Sequence, residues 1–196
     1  MKSFLSSGRL QFLLLAALFV APLLSATLIY FFFPEWVPTQ RSNYGELVSP
    51  ARPLPLGLDL RKPDGSESGE GTLRGHWTYV YLGGASCEAA CTARLEEIRQ
   101  VRTLLNEKRP RVRRVYIAPD LAAARAAQAQ LGPGHPDLLV VAAADGGIQR
   151  FFAPTDPQAL YLIDPLGNWM MVYAADTEPR GLLKDIKLLL RVSQIG

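Results

Sequence analysis

Cys87 and Cys91 are the only cysteines in a chain of 196 residues. They sit four apart in "GGASCEAACTARL" (83–95), directly after the apolar run "WTYVYL". Two thiols so placed offer a redox couple, part of a metal site, or two small core residues. The count excludes a four-thiolate zinc cage. On a helix, residues i and i+4 share a face, and their Cα atoms lie about 6 Å apart, within reach of a disulfide. Such a bond closes a very short loop and adds little stability, which favours a reversible bond over a staple.

Other residues with ligand or acid–base chemistry are few. A mixed metal site would draw on His76 or His135. His76 precedes the apolar run, at its opposite end, and His135 sits in the loop "GPGHP", where a histidine is usually solvated. Met170 and Met171 are neighbours on a strand, so a regular pleat turns them to opposite faces. Asp164 and Asp176 read as turn residues rather than a catalytic acid pair. The run Lys108-Arg109-Pro110-Arg111-Val112-Arg113-Arg114 carries five positive charges. It reads as a solvated helix end and strand edge, with anionic headgroups or an acidic partner as the alternative.

The elements that must position the cysteines follow from periodicity and caps. "HWTYVYLG" (76–83) is a buried strand. Cys87 to Glu107 lacks Gly and Pro and repeats apolar residues at Leu95, Ile98, Val101 and Leu105, the spacing of a helix. The pair therefore lies at a strand–helix junction, where ligands gather in open α/β sheets. A helix N-terminus lowers a thiol pKa, and Glu88 opposes that effect. "RRVYIA" (113–118) and "DLLVVAA" (137–143) are strands, and Asp120 caps an alanine-rich helix ending at "GPGHP". "ALYLIDPLGNWMMVYAA" (159–175) is a hairpin turning at Asp164–Asn168. "PRGLLKDIKLLLRV" (179–192) is an amphipathic closing helix. "LGLDLR" (56–61) is a short leading strand. This order predicts a thioredoxin-like α/β sheet flanked by helices over residues 59–196.

The N-terminal part is different. From Phe12 to Phe33 no residue is charged, and at about 1.5 Å per residue the run spans a bilayer core of about 30 Å. It ends in Tyr30-Phe31-Phe32-Phe33-Pro34 without a small-residue cleavage site, so an uncleaved anchor is expected, with Tyr30 and Trp36 at the far interface. Lys2 and Arg9 place residues 1–11 in the cytoplasm. Residues 34–58 are proline-rich and read as a tether. An Ala-, Arg-, Leu- and Pro-rich composition suggests a bacterium, which puts the domain in the periplasm on the inner membrane. There thiols meet an oxidising environment. A net charge of +3 gives no argument for nucleic acid.

The segments "LRGHWTYVYLGGASCEAACTARLEEIRQVRTLL", "VRRVYIAPD" and "YLIDPLGNW" resemble the SCO family of membrane-anchored cytochrome c oxidase assembly proteins. The resemblance covers about residues 56–192 and rests chiefly on the four-residue cysteine spacing. It implies a thioredoxin-like domain, a partner in a cytochrome c oxidase subunit or another assembly factor, and copper held by Cys87, Cys91 and a distant histidine. Two positions depart from the pattern. Glu88 stands where the family has proline, and counting back from the "YL" strand puts Asp156 where the family has its histidine. Asp156 is a hard oxygen donor, ill suited to Cu(I), whereas two thiolates alone hold Cu(I) in near-linear geometry. Thiol–disulfide exchange, by which the pair would keep the oxidase's copper-ligating cysteines reduced, is the other implied activity, with Cys87 expected as the more exposed sulfur. A general periplasmic thiol–disulfide oxidoreductase and a non-catalytic membrane scaffold are the alternatives.

Overall fold

The computed structural model describes residues 8–33, 43–143 and 145–195. They form two units, divided between Ser42 and Asn43. The first is one helix, α1 (Gly8–Phe32), whose segment Leu10–Phe32 is long and apolar enough to cross a membrane. Pro22 lies inside it. Ser25 Oγ and Thr27 Oγ1 donate to the carbonyls of Pro22 and Leu23, at 3.0 and 2.9 Å. Trp36 and the first part of the expected tether lie outside the described residues.

The second unit is a seven-stranded mixed sheet. In chain order the strands are β1 (Glu46–Pro53), β2 (Leu60–Arg61), β3 (Trp77–Leu82), β4 (Val112–Ala118), β5 (Leu138–Ala143), β6 (Leu160–Ile163) and β7 (Asn168–Tyr173). Their order in the sheet is β1-β7-β6-β3-β4-β5-β2. β3, β4 and β5 run parallel, and β6 and β7 run antiparallel beside β3. Helices α2 (Ala89–Thr103), α3 (Leu121–Leu131), α4 (Gly147–Phe152) and α5 (Pro179–Val192) complete the unit. This is the expected thioredoxin-like sheet.

Its core occupies both faces. On one, Leu95, Ile98 and Val101 of α2 and Leu182, Ile186 and Leu190 of α5 pack on the β3 and β4 tyrosines. On the other, Ile148 and Phe152 of α4 meet Val80, Val115 and Trp169. Met171 is buried in the first face and its sulfur accepts from the Tyr173 hydroxyl, a core role.

Local signals read from the sequence hold. Asp120 Oδ1 accepts from Ala123 N at 2.8 Å and caps α3. In the hairpin, Asp164 Oδ1 accepts from the amides of Leu166 and Asn168, and Gly167 takes φ 90°, the left-handed region a glycine enters without strain.

Four readings change. Residues 46–53, read as tether, form β1, an edge strand on β7 whose register shifts between Leu47 and Arg52. Prolines are tolerated there because an edge strand leaves one side unpaired. The leading strand shrinks to Leu60–Arg61, and "GIQRFF" forms the unanticipated α4. Of the basic run, Lys108 and Arg109 are exposed as expected, but the three arginines after them are not a solvated edge. Arg114 is fully buried and pairs with Asp137 (Nη2–Oδ1 2.6 Å) while donating to the Leu95 carbonyl. Arg111 donates to the carbonyls of Leu190, Ser193 and Ile195, and Arg113 to those of Gly71 and Thr72. These guanidiniums satisfy backbone acceptors left over at helix and strand ends.

Candidate thiol site

β3 is buried along its length and ends at Leu82, one residue before the glycine pair. The Gly83 amide donates to the Ile117 carbonyl at 2.8 Å, continuing the sheet one step past the strand. The chain then turns out to Cys87. Glu88 occupies the N-cap of α2 in extended geometry, without a side-chain capping bond. Cys91 lies in the first turn.

Cys87 and Cys91 form a disulfide, with Cα atoms 5.3 Å apart. Its surroundings hold it firmly. Gln130 Nε2, from α3, donates to the Cys87 carbonyl at 2.7 Å. Thr92 Oγ1 donates to the Glu88 carbonyl and lies 3.8 Å from Cys87 Sγ.

Both cysteines are buried, and their order of exposure reverses the expectation: Cys87 is 3% exposed and Cys91 8%. Cys91, not Cys87, lines a cavity of about 360 Å³ with Tyr81, Glu88, Gln149, Asp156 and Tyr161. The helical turn places Cys91 toward the open side, while Cys87, outside the helix, faces the core.

Asp156 therefore reaches the same cavity as Cys91. Its carboxylate, however, already has partners. Oδ1 accepts from Gln158 N at 2.8 Å and Oδ2 from Ala175 N at 2.7 Å. It clamps the loop before β6 to the segment after β7. His135 is elsewhere: it is buried before β5, at the opposite end of the parallel strands, with Nδ1 3.4 Å from Arg114. His76 precedes β3 at that same end. Among the described residues no three His, Cys, Asp or Glu side chains gather as a metal-binding group.

Tyr81 and Tyr161 line the cavity, and Tyr116 backs Tyr81. Tyr81 and Tyr116 stack at 5.9 Å between ring centroids, in the core cluster that contains both cysteines. Burial, and then the neighbouring Tyr81, push the Tyr116 hydroxyl up to about 12. Burial, and then Asp156, push Tyr161 up to about 12. Burial raises Tyr81 as well, so all three hydroxyls stay neutral near pH 7 and add no charge beside the sulfurs. The Tyr116 hydroxyl and Gln149 Oε1 are buried without a hydrogen-bond partner. Neither residue was identified from the sequence. Gln149 sits on α4, and Tyr116 reads locally as one more strand aromatic.

This packing explains Gly83. A Cβ there would stand against the Tyr116 ring, overlapping its Cζ and hydroxyl. Tyr116 cannot retreat, because it is fully buried against Tyr81. Gly83→Ala is expected to lower stability by about 1–3 kcal/mol through overpacking. It should also raise the reactivity of the disulfide toward dithiothreitol by loosening the 83–88 turn. Chemical denaturation and stopped-flow reduction check both. Wild-type behaviour in each would show that the turn accommodates a side chain.

The family model "Transmembrane-like, thioredoxin-like, C-terminal domain" matches residues 77–193. No curated protein matches the chain. Solved structures show the same fold. ScoI of Arabidopsis thaliana with copper bound is 17% identical with a TM-score of 0.56, over 76% of this chain and 99% of that one. Yeast Sco1 with copper bound is 20% identical with a TM-score of 0.61, over 74% and 95%. Apo Sco1 of Thermus thermophilus is 15% identical with a TM-score of 0.59, over 77% and 99%. The chain belongs to the family of transmembrane-like proteins with a thioredoxin-like C-terminal domain, and that domain has the fold of the Sco proteins.

Proposed function

We propose that the chain is a membrane-anchored, Sco-like protein of the bacterial inner membrane that exchanges thiols and disulfides with a respiratory haem-copper oxidase during its assembly. The observation that carries this reading is the Cys87–Cys91 disulfide at the strand–helix junction, with Cys91 lining a cavity. In the dithiol form, the Cys91 thiolate attacks a disulfide of the client. One client thiolate leaves and takes up a proton, and Cys91 is held in a mixed disulfide. Cys87 loses its proton and attacks the Cys91 sulfur, and the second client thiol departs. Two electrons and two protons pass to the client, and the protein is left as the disulfide. The N-terminus of α2 stabilises the Cys91 thiolate, since the helix dipole favours negative charge in its first turn. A dithiol reductant closes the cycle.

Copper handling is the second reading, and the donor set decides how far it reaches. Two thiolates released by reduction suit Cu(I), which selects soft ligands. Asp156 is a poor third donor: it is hard, and two backbone amides occupy its oxygens. Cys87 and Cys91 are thus the residues that would hold Cu(I), and a Cu(II) set of the three-ligand kind does not fit.

Anaerobic Cu(I) titration of the reduced full chain in detergent, beside redox titration with dithiothreitol, separates the readings. A measurable two-electron midpoint with no tight Cu(I) site supports exchange. One Cu(I) bound tightly and lost with either cysteine supports metal transfer. Absence of both would sink the paired-thiol proposal and favour a scaffold role.

A further inference from the structure

The soluble unit is lopsided about its sheet. The disulfide lies beyond the carboxyl ends of the parallel strands, and the other pole collects the exposed apolar side chains. Leu56 follows the far end of β1, Leu104 ends α2, and Leu166 forms the β6–β7 turn. Leu188, Val192 and Ile195 lie on the last turns of α5 and its tail. Their exposures are 80, 55, 63, 39, 71 and 51% in that order. Toward the disulfide pole the exposed large hydrophobics are Tyr44 and Leu47.

Charge follows the same axis. Lys108, Arg109, Lys187 and Arg191 are exposed around Leu188 and Val192, because Arg111 ties residues 106–111 to the end of α5 through the Leu190, Ser193 and Ile195 carbonyls. Glu107 is the one exposed acid beside these four cations, and Asp137 is already paired with Arg102 and Arg114. Toward the disulfide the exposed or half-buried acids include Glu46, Glu88, Asp120, Asp145, Asp156 and Asp176, and they outnumber the exposed Arg150 and Arg180. α5 is amphipathic, and its solvent side alternates Lys184, Lys187 and Arg191 with Leu188 and Val192. Apolar residues framed by lysine and arginine are the chemistry of a helix that rests on headgroups.

We propose that this basic, apolar pole docks on an anionic lipid surface. The same chain carries a segment able to cross a membrane, which keeps headgroups close to the domain. Reach allows it. The Asp185 carboxylate holds the amides of Tyr44 and Gly45, two turns of α5 before Val192, or about 10 Å. The ten steps from Phe33 to Asn43 span up to about 35 Å when extended. Docked this way, the disulfide stands a sheet's height away, roughly 20 Å, with its acidic rim turned from the lipid. Anionic headgroups would repel that rim and attract the opposite pole, so charge orients the domain as well as binding it. The inference does not rest on the chemistry of the cysteines.

The test uses the full chain in nanodiscs doped with a gadolinium-headgroup lipid. Methyl relaxation is compared between phosphatidylcholine discs and discs containing phosphatidylglycerol. Enhancement is expected at Leu188, Val192 and Ile195 in the anionic discs, with the Ala90 methyl beside Cys91 unaffected. It should fall in half-molar salt, and each charge removed in Lys187→Ser or Arg191→Ser should weaken docking about fivefold. Val192→Ser, at an exposed position that spares the core, should also weaken it. A cysteine-free variant should dock as wild type, which separates this result from the thiol reading. Enhancement equal at Ala90, or indifferent to lipid charge and salt, overturns the proposal and leaves the pole to a protein partner or to solvent.

Discussion

Replacing Cys87 and Cys91 together by serine is expected to abolish oxidase assembly by the chain in a deletion strain while leaving the domain folded. The disulfide closes a loop with a sequence separation of only 4, and so short a closure contributes no more than about 2 kcal/mol. The fold has two packed faces and does not depend on it. The thiol chemistry has no substitute, because no other cysteine exists. Serine carries a hydroxyl into buried positions, which costs about 1–3 kcal/mol when unpaired. The alanine pair is therefore the companion variant. Both pairs should leave the far-ultraviolet spectrum unchanged and lose activity completely. Single variants should both lose turnover, Cys91→Ser at the first attack and Cys87→Ser by leaving the client trapped on Cys91 as a mixed disulfide. A double variant that assembles the oxidase as well as wild type would eliminate the redox and copper readings together and leave the scaffold.

Arg114→Met is expected to produce the largest loss of stability, roughly 3 kcal/mol, because it removes one partner of a buried charged pair. Arg114 has 0% side-chain exposure and bonds Asp137, the Leu95 carbonyl and His135. Asp137 retains 31% exposure and Arg102, so the loss sits at the low end of that range. Arg109→Met, at an exposed position, should change stability by less than about 0.5 kcal/mol. Urea titration of the two variants compares them directly. Equal midpoints would mean that the buried guanidinium holds nothing together.

The same cluster sets a pH dependence. Burial alone would raise the Asp137 carboxyl, but the Arg114 hydrogen bond and the Arg114 and Arg102 charges outweigh it and hold it below its ordinary value. Its stabilisation is present above about pH 4 and lost as pH falls through the lowered folded value. Burial, then the Arg114 charge, lowers His135. Below about pH 6.5 the unfolded chain thus takes up a proton that the folded chain resists, and stability declines there first. Arg114→Met should flatten both phases. A wild-type curve with no loss between neutral pH and about pH 4 would count against this assignment.

The parts of the fold legible from sequence were those decided within a few residues. The strand "WTYVYL", the apolar spacing of α2, the Asp120 cap, the Asp164–Asn168 turn and the amphipathic pattern of α5 each follow from contacts between near neighbours in the chain. The strand–helix junction that carries Cys87 and Cys91 was therefore visible. β1 was not, because its prolines argue against a strand until β7 supplies the partner. α4 was too short to show a period.

The site divides in the same way. Cysteine type and spacing by themselves pointed to an available reversible bond, and the bond forms although α2 starts only at Ala89, so that Cys87 precedes the helix rather than sharing its face. Tertiary structure alone decided that Cys91 and not Cys87 lines the cavity, that Asp156 enters it with both oxygens engaged, and that Tyr116 forbids a side chain at Gly83. It also decided that three arginines of the basic run serve carbonyls and Asp137 rather than water. Each of these outcomes depends on partners distant in the chain, which local pattern does not encode: Asp156 bonds Ala175, and Arg114 meets Leu95 and Asp137 only when α2, β4 and β5 pack.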